Sequence, residues 1–438
     1  MTGRPPLPGG PYLIVGLGRS GVAAGRALAA RGETVIGCDR GSPSVDGLTG
    51  IETHVQTEGV DLVGRARTLI KSPGVPAQAQ VVRAARAGGL SVIGELELAW
   101  RLLENEFIGV TGTNGKTTTV ELIGAIHREA GLDVVVAGNV GRALSTLVAP
   151  GAIGPGATIV CEASSFQLED TTGFAPEAAV LLNLTDDHLD RHGTVEAYRA
   201  AKFEIFARQG PRDLAIAPDD LPVPGGAAGR VRFGRGPDAE LGDRDGRLWW
   251  GETELVGVDE IRLRGRHNRL NAMAAAAVTL ARGVPIDAVR AGLRGFGGVA
   301  HRLEEIATIG GVVFVNDSKA TNVAGTLVAL DSFEPGTIHL ILGGQGKGQS
   351  FEPLGPAIAA RCAGVYLIGE DAPLIAGALG DLPASRSGTL EQAVAQAGRA
   401  AGPGQVVLLS PACASFDQFA DFEHRGERFR ELVGRAPG

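Results

Sequence analysis

Short apolar runs recur along the chain, and most are followed by a longer segment whose apolar positions repeat at helical spacing. "YLIVGLG" predicts a strand, "GVAAGRALAARG" a helix closed by a glycine, and "TVIGCD" the next strand. "TLIKSPGV" and "SVIGELELAW" continue the alternation. A second series begins near Glu106 with "FIGVTG", "DVVVAGN", "TIVCEAS" and "AAVLLNL". A third begins near Glu304 with "GVVFVNDS", "TIHLILGGQGKG", "GVYLIGE" and "GQVVLLSPACAS". Strands that alternate with helices imply parallel sheets covered on both faces. Between 211 and 265 the texture changes to Gly/Pro/Asp turns and short strands such as "RLWWGETELVG". That stretch reads as a β-hairpin edge on the second sheet. "HNRLNAMAAAAVTLARG" predicts a helix with a C-terminal glycine.

A chain of 438 residues exceeds one ordinary core, which agrees with several domains. Hydrophobic residues at 44% and charged residues at 21% are ordinary for a soluble globular protein. A formal net charge of −8 gives no reason to expect nucleic acid as a partner, yet local lysines and backbone amides can still hold small anions. Cys38, Cys161, Cys362 and Cys413 lie far apart without metal-ligand spacing, as reduced thiols of a cytoplasmic protein would. "MTGRPPLPGGP" lacks the apolar core of a signal peptide, and no apolar run approaches a membrane span. A cytoplasmic protein without a membrane partner is expected.

The richest chemistry lies in "VTGTNGKTT". Gly112, Thr113, Asn114, Gly115, Lys116, Thr117 and Thr118 form a G-x-x-G-K-T turn between a strand and a helix, shorter than the usual phosphate loop. The physics survives the shortening: successive N–H groups and a helix N-terminus face phosphates, Lys116 adds a point charge, and Thr117 can ligate Mg²⁺. In "VCEASSFQLE", Glu162 ends a buried strand, where an unpaired carboxylate is costly. In "LLNLTDDHLDRHG", Asp186, Asp187, His188 and Asp190 follow another strand. Taken singly, these acids read as a helix cap and a polar turn. "GLGRSG", with Gly16, Gly18 and Gly21 and with Asp39 closing the next strand, fits a dinucleotide fingerprint. Alone it would suggest an NAD(P) oxidoreductase, although its glycines admit any diphosphate. The expected fold class is therefore α/β in three consecutive domains. These are a Rossmann-like domain over 1–105, a P-loop ATPase-like parallel sheet with a small hairpin edge over 106–303, and a Rossmann-like domain over 304–438.

"GVTGTNGKTTT", "EASSFQLE", "NLTDDHLDRHGTVEAYRAAKFEIF", "RGRHNRLNAMAA", "AHRLE", "NDSKATN" and "LLSPACASFDQF" together resemble the successive motifs of the muramyl peptide ligases, in order, from about residue 12 to the C-terminus. The resemblance implies ATP-driven amide formation. A substrate carboxylate attacks the γ-phosphate, ADP leaves an acyl phosphate, and an incoming amine displaces phosphate through a tetrahedral intermediate. It implies that Lys116 and residues 112–118 hold the β- and γ-phosphates. Thr117 and Glu162 would bind one Mg²⁺ and His188 a second, with Lys202 as a carbamylated lysine able to serve that second ion. Without the resemblance, Lys202 reads as a plain helix-surface lysine. Asn139 would position the muramyl substrate, Asn268 and Asn271 the adenine, Arg302 an ATP phosphate and Asp317 the ribose.

Leu17, Arg19, Ser20, Asp39 and Arg40 would line the uridine side of a UDP substrate, with Ser72 and Gly74 nearby. Lys319, Thr321, Lys347, Ser415 and Phe422 match amino-acid contacts; lysines and hydroxyls suit a substrate with two carboxylates. Phe416 departs from the aliphatic residue common there. The absence of an Asp-Asn-Pro-Arg run favours glutamate over diamino acids. The implied partners are UDP-N-acetylmuramoyl-L-alanine, D-glutamate and ATP, handled by a monomer whose third domain closes as a lid. Alternatives are a related amide ligase adding L-alanine, a diamino acid or folyl-glutamate, and a non-enzymatic binding protein.

Overall fold

The computed structural model describes residues 3–185, 187–223, 226–263, 265–346 and 348–435, with 189 and 190 described by backbone alone. The chain forms two compact units, Met1–Ile261 with Arg269–Gly295, and Arg262–Asn268 with Phe296–Gly438.

The first unit contains two sheets. One is five-stranded and parallel throughout, in the order Ile51–Val55, Val35–Asp39, Tyr12–Val15, Thr68–Lys71, Ser91–Gly94. Connections leave in opposite directions on either side of Tyr12–Val15. That opens a crevice at the carboxyl ends of Tyr12–Val15 and Thr68–Lys71. The other sheet is nine-stranded, and one of its inner strands, Phe107–Thr111, lies parallel between Thr158–Glu162 and Ala178–Leu181. All five residues of Phe107–Thr111 are buried, as expected of an apolar run covered on both faces.

The 211–265 stretch is larger than the expected hairpin edge. Leu214–Pro218 and Gly229–Gly234 extend the parallel sheet, Leu241–Arg244 adds to it, and Arg247–Trp250 and Thr253–Gly257 close it as antiparallel strands. The "RLWWGETELVG" hairpin is its outermost part.

Within this unit the helix Glu95–Leu102, which ends the first sheet's connections, buries Leu96, Ala99 and Trp100 in the core of the nine-stranded sheet beside Phe107 and Phe174. Its Glu97 carboxylate accepts from Arg101 Nε at 2.7 Å and from the Phe174 N–H at 2.8 Å. An N-terminal arm covers the joint. Arg4 donates to the carbonyls of Trp100 at 2.7 Å, Asn105 at 2.6 Å and Leu103, and lies over the rings of Trp100 and Phe107.

The second unit carries a six-stranded sheet in the order Glu304–Ile309, Val312–Asn316, Val406–Leu409, Ile338–Gly343, Cys362–Ile368, Ser385–Gly388. Its first pair is antiparallel and the rest are parallel. Helices such as Leu390–Ala400 and Phe422–Gly434 bury apolar faces on it. Among the described residues no helix is long and apolar enough to cross a membrane. The four cysteines are free.

Arg4→Ala should leave the three helix-end carbonyls without their cation and cost about 1–3 kcal/mol. Urea unfolding of the first unit should shift to a lower midpoint at unchanged slope; an unmoved midpoint would deny the arm a part in holding the joint.

Candidate active site

The phosphate-type loop starts where Phe107–Thr111 leaves the sheet. Gly112 has φ of 152°, and a Cβ there would come within 2.9 Å of Leu182 Cβ. Gly115 has φ of 85°, and a Cβ there would sit 2.1 Å from Asn271 Oδ1. Both positions therefore require glycine. The loop is pinned from outside. The Asn114 N–H donates to Asn183 Oδ1 at 2.9 Å, and Thr113 Oγ1 donates to the Thr185 carbonyl at 3.0 Å and lies 2.9 Å from the Tyr198 hydroxyl. The helix Lys116–Glu129 begins directly after Gly115, so its free N–H groups face the loop's concave side.

Two lysines meet at one carbonyl. Lys116 Nζ donates to Gly112 O at 2.8 Å and Thr113 O at 2.9 Å, and Lys202 Nζ donates to the same Gly112 O at 2.8 Å. Lys202 comes from the helix Val195–Phe203, is buried, and has its ammonium 4.7 Å from the Tyr198 ring centre. Burial and then the Lys116 charge push its pKa down to about 7, against the attraction of Asp187 and Glu162.

Glu162, at the end of the neighbouring strand, is buried and held at both oxygens. Thr117 Oγ1 donates to Oε2 at 2.9 Å and Asn139 Nδ2 donates to Oε1 at 3.0 Å. A hydroxyl and a carboxylate oxygen side by side next to a phosphate cradle suit Mg²⁺, which is commonly held by one or two carboxylates with phosphate and water oxygens. His188 stands apart from that pair: it has φ of 51°, is exposed, and lies 4.8 Å from the Phe166 ring and 6.3 Å from Tyr198. His188 and Lys202 thus share Tyr198 as a neighbour. Among the described residues, no three His, Cys, Asp or Glu side chains gather as a metal cluster, and Asp186 lies outside those residues.

A cleft of about 880 Å³ opens at the crevice of the first sheet, lined by Arg19, Ser20, Asp39, Arg40, Ser72 and Gly74 and reaching Asn139 and Gln167. Gly16, with φ of 91°, approaches so closely that Ser72 Oγ donates to its carbonyl at 2.6 Å. Asp39 braces the turn, accepting from the N–H groups of Leu17 and Gly41, each at 2.7 Å. Leu17 is buried beneath the cleft instead of lining it. Arg19 donates to Gly141 O at 3.0 Å, across to the Asn139 loop. Seven of the eight residues expected at a UDP end therefore share one cavity, and Asn139 joins it to Glu162.

The second unit carries Asp317, Lys319 and Thr321 on the loop after Val312–Asn316 and Ser415 on the loop after Val406–Leu409, while Arg302 precedes its first strand, Asn268 stands on the helix Arg266–Ala281 and Phe422 starts the helix Phe422–Gly434. Asp317 accepts from Ser410 Oγ at 2.8 Å and the Leu303 N–H at 3.2 Å, and burial raises its carboxyl to about 7 despite those bonds and the nearby Arg302 charge. Arg302 Nε is buried without a hydrogen-bond partner among the described residues, and so is Ser415 Oγ. Lys319 Nζ lies 5.8 Å from the Phe422 ring, while Thr321 follows on the same loop. Phe416 is 64% exposed beside Ser415. Asn268 is buried, with its N–H on Gly265 O at 3.1 Å. Lys347 lies outside the described residues.

Arg425 escaped the motif reading. It is 1% exposed on the helix Phe422–Gly434, and it donates to Ser318 Oγ at 2.9 Å, Ser318 O at 2.8 Å and Cys413 O at 3.1 Å. One buried cation thus ties the Lys319–Thr321 loop to the loop of Ser415. The available signal was an arginine at a buried helical position.

A phosphate cradle beside a buried carboxylate, joined to a diphosphate-type cleft, defines an ATP-using enzyme with a second nucleotide-bearing substrate. The Mur ligase middle domain matches residues 110–279, and the Mur ligase, glutamate ligase domain matches 301–413. The UDP-N-acetylmuramoylalanine--D-glutamate ligase of Anaeromyxobacter dehalogenans is 44% identical over 98% of both chains. Two crystal structures from Thermotoga maritima share the fold. UDP-N-acetylmuramate-alanine ligase MurC is 19% identical, covering 97% of this chain and 99% of its own at a TM-score of 0.59. MurF ligase in complex with ADP is 19% identical, covering 98% and 96% at 0.56. The chain belongs to the Mur ligase family, ATP-dependent ligases that form C–N bonds.

Gly115→Ala should drive a methyl into Asn271 and strain the loop at positive φ. Calorimetric titration with ADP and Mg²⁺ should show binding lost or weakened at least about tenfold, since misplaced donors forfeit phosphate contacts. Unchanged affinity would contradict this account of the loop.

Proposed function

We propose that this chain joins D-glutamate to UDP-N-acetylmuramoyl-L-alanine at the expense of ATP, in cytoplasmic peptidoglycan precursor synthesis. The observation that carries the reading is Asn139, which lines the first-sheet cleft and donates to Glu162 beside the phosphate loop. A ligand whose UDP end fills that cleft would present its far carboxyl group next to bound γ-phosphate. The match to relatives named for this activity at 40–44% identity favours the same substrates.

In this reading the domains are 1–105 for the UDP substrate, 106–303 for ATP and 304–438 for the amino acid, acting within a monomer. Backbone N–H groups of 112–118 and Lys116 hold the β- and γ-phosphates, while Asn268, Asn271, Arg302 and Asp317 serve the rest of ATP. Thr117 and Glu162 would hold one Mg²⁺, and His188 with Lys202, once Lys202 is a carbamate, would hold a second. Bound there, the ions offset the charge on the transferring phosphoryl oxygens. The alanyl carboxylate oxygen attacks the γ-phosphorus and the bond to ADP breaks. The D-glutamate amine, held by Lys319, Thr321, Lys347, Ser415 and Phe422, then attacks the acyl carbon. The tetrahedral intermediate expels phosphate and the amine proton passes to solvent or a nearby base. The protein's work is to align anions and exclude water, since water would hydrolyse the acyl phosphate.

Lys202 gains a second property from its burial. Its amine is neutral above about pH 7 instead of above 10.5, so its lone pair can add to CO₂. The N–C bond forms, a proton leaves to solvent, and a carbamate with two oxygens replaces the cation.

Phosphate release assayed with UDP-N-acetylmuramoyl-L-alanine, ATP, Mg²⁺ and a panel of D- and L-amino acids should be fastest with D-glutamate. Lys116→Ala should slow it about 100-fold or more, at little cost in melting temperature. No amino-acid-dependent release, or release with the D-glutamate arm no faster than the others, would overturn the reading.

¹³C-labelled bicarbonate should give the wild-type protein a carbamate carbonyl resonance at pH 8 that fades as pH falls through about 7. Lys202→Ala should lack it and recover part of its activity with short carboxylic acids. A wild-type spectrum without that resonance would remove the carbamate.

A further inference from the structure

Between the cleft and the turn that carries His188 lies a polar joint that the proposed reaction does not use. Arg191 forms its centre. Its Nη2 donates to Val75 O at 3.1 Å and to Glu169 Oε1 at 3.0 Å, and its guanidinium lies 4.0 Å from the centre of the Phe166 ring. Val75 belongs to the Ser72–Pro76 wall of the cleft. Phe166 is also the ring against which His188 packs at 4.8 Å and on which His192 stacks at 5.4 Å.

The fully buried Lys71 reinforces the same point. Its Nζ donates to Val75 O at 2.8 Å and lies 2.7 Å from Asp170 Oδ2 and 3.5 Å from Glu169 Oε1. Two cations therefore converge on one carbonyl of the cleft wall and one carboxylate at the end of the short helix Ser165–Leu168. Arg191 continues from there, through its contact with Phe166, to the His188 turn, and the neighbouring His192 lies 3.9 Å from Glu169 Oε2 and on the same ring. A lysine could keep a cation near the ring but not a forked donor that reaches the Val75 carbonyl and the Glu169 carboxylate at the same time.

We propose that Arg191 is a positioning residue that fixes the distance between the UDP-end cleft and the His188 turn. It acts through the Val75 carbonyl, the Glu169 carboxylate and the Phe166 ring. The inference rests on the ligase reading above. Under it, the cleft delivers a carboxyl group to a point set by the phosphate loop. A shift of the wall relative to the His188 turn would misplace that group after binding.

The test uses Arg191→Ala, Arg191→Lys and Phe166→Leu in the full-length protein, with phosphate release measured against Mg²⁺, ATP and UDP-N-acetylmuramoyl-L-alanine. Arg191→Ala should lower kcat about 10- to 100-fold and raise the half-saturating Mg²⁺ concentration severalfold, with KM for ATP unchanged. Arg191→Lys, keeping the charge but not the forked donor, should recover part of the loss. Phe166→Leu should move both quantities in the same direction, and it decides the matter if Arg191→Ala fails to fold. A purely structural role would lower the melting temperature and leave kcat and the Mg²⁺ requirement within twofold of wild type. That result, with an active wild type, overturns the inference alone; an inactive wild type overturns the ligase reading and this inference with it.

Discussion

Two ammonium groups donating to the single carbonyl of Gly112 set the terms for everything around them. Like charges this close repel, and burial deprives one of them of water's screening. The protein meets the conflict by lowering the proton affinity of Lys202 to about 7 while Lys116 stays at the mouth of a loop shaped for anions. An arriving polyphosphate would relieve the repulsion, so the site's electrostatics favour the nucleotide whose γ-phosphoryl transfer the loop would promote. The positive-φ turns at Gly112 and Gly115 belong to the same arrangement. Their backbones turn where a side chain would strike Leu182 or Asn271.

The cleft at the first sheet and the phosphate loop at the nine-stranded sheet are built on the same rule, since both open at the carboxyl ends of strands where connections diverge. What couples them is a short polar relay in one compact unit. Asn139 touches the cleft and Glu162, Glu162 touches Thr117, and Arg191 clamps the cleft wall from the other side. The burial of Glu95–Leu102 in the central core keeps the two sheets from drifting apart. For a reaction whose covalent steps involve only substrates, such fixed spacing is the main thing a protein can contribute.

Glycine spacing made the phosphate loop and the diphosphate turn legible, because glycine positions translate directly into backbone geometry. Apolar runs likewise revealed the buried central strands. The strands that escaped are edges. Ile51–Val55 and Glu304–Ile309 are only half covered, so no apolar run marks them, and the turns of 211–265 hid how far the nine-stranded sheet extends. Among site residues, Arg191 and Arg425 were invisible for a related reason. Val75 and Ser318 are more than a hundred positions away from them, and a local pattern cannot separate such an arginine from one in solvent. Lys202 stood between these cases, since its sequence context suggested chemistry but only burial beside Lys116 supplies a cause.

The central claim is that a carboxyl group is made electrophilic by direct transfer of the γ-phosphoryl group at the loop of residues 112–118. The most direct measurement follows oxygen. UDP-N-acetylmuramoyl-L-alanine labelled with ¹⁸O in its alanyl carboxylate is turned over with unlabelled ATP and D-glutamate, and the released phosphate is examined by ³¹P NMR. The account predicts one ¹⁸O in each phosphate formed, since the bridging oxygen of the acyl phosphate leaves with phosphorus. Phosphate free of label, accompanied by amide product, would contradict it.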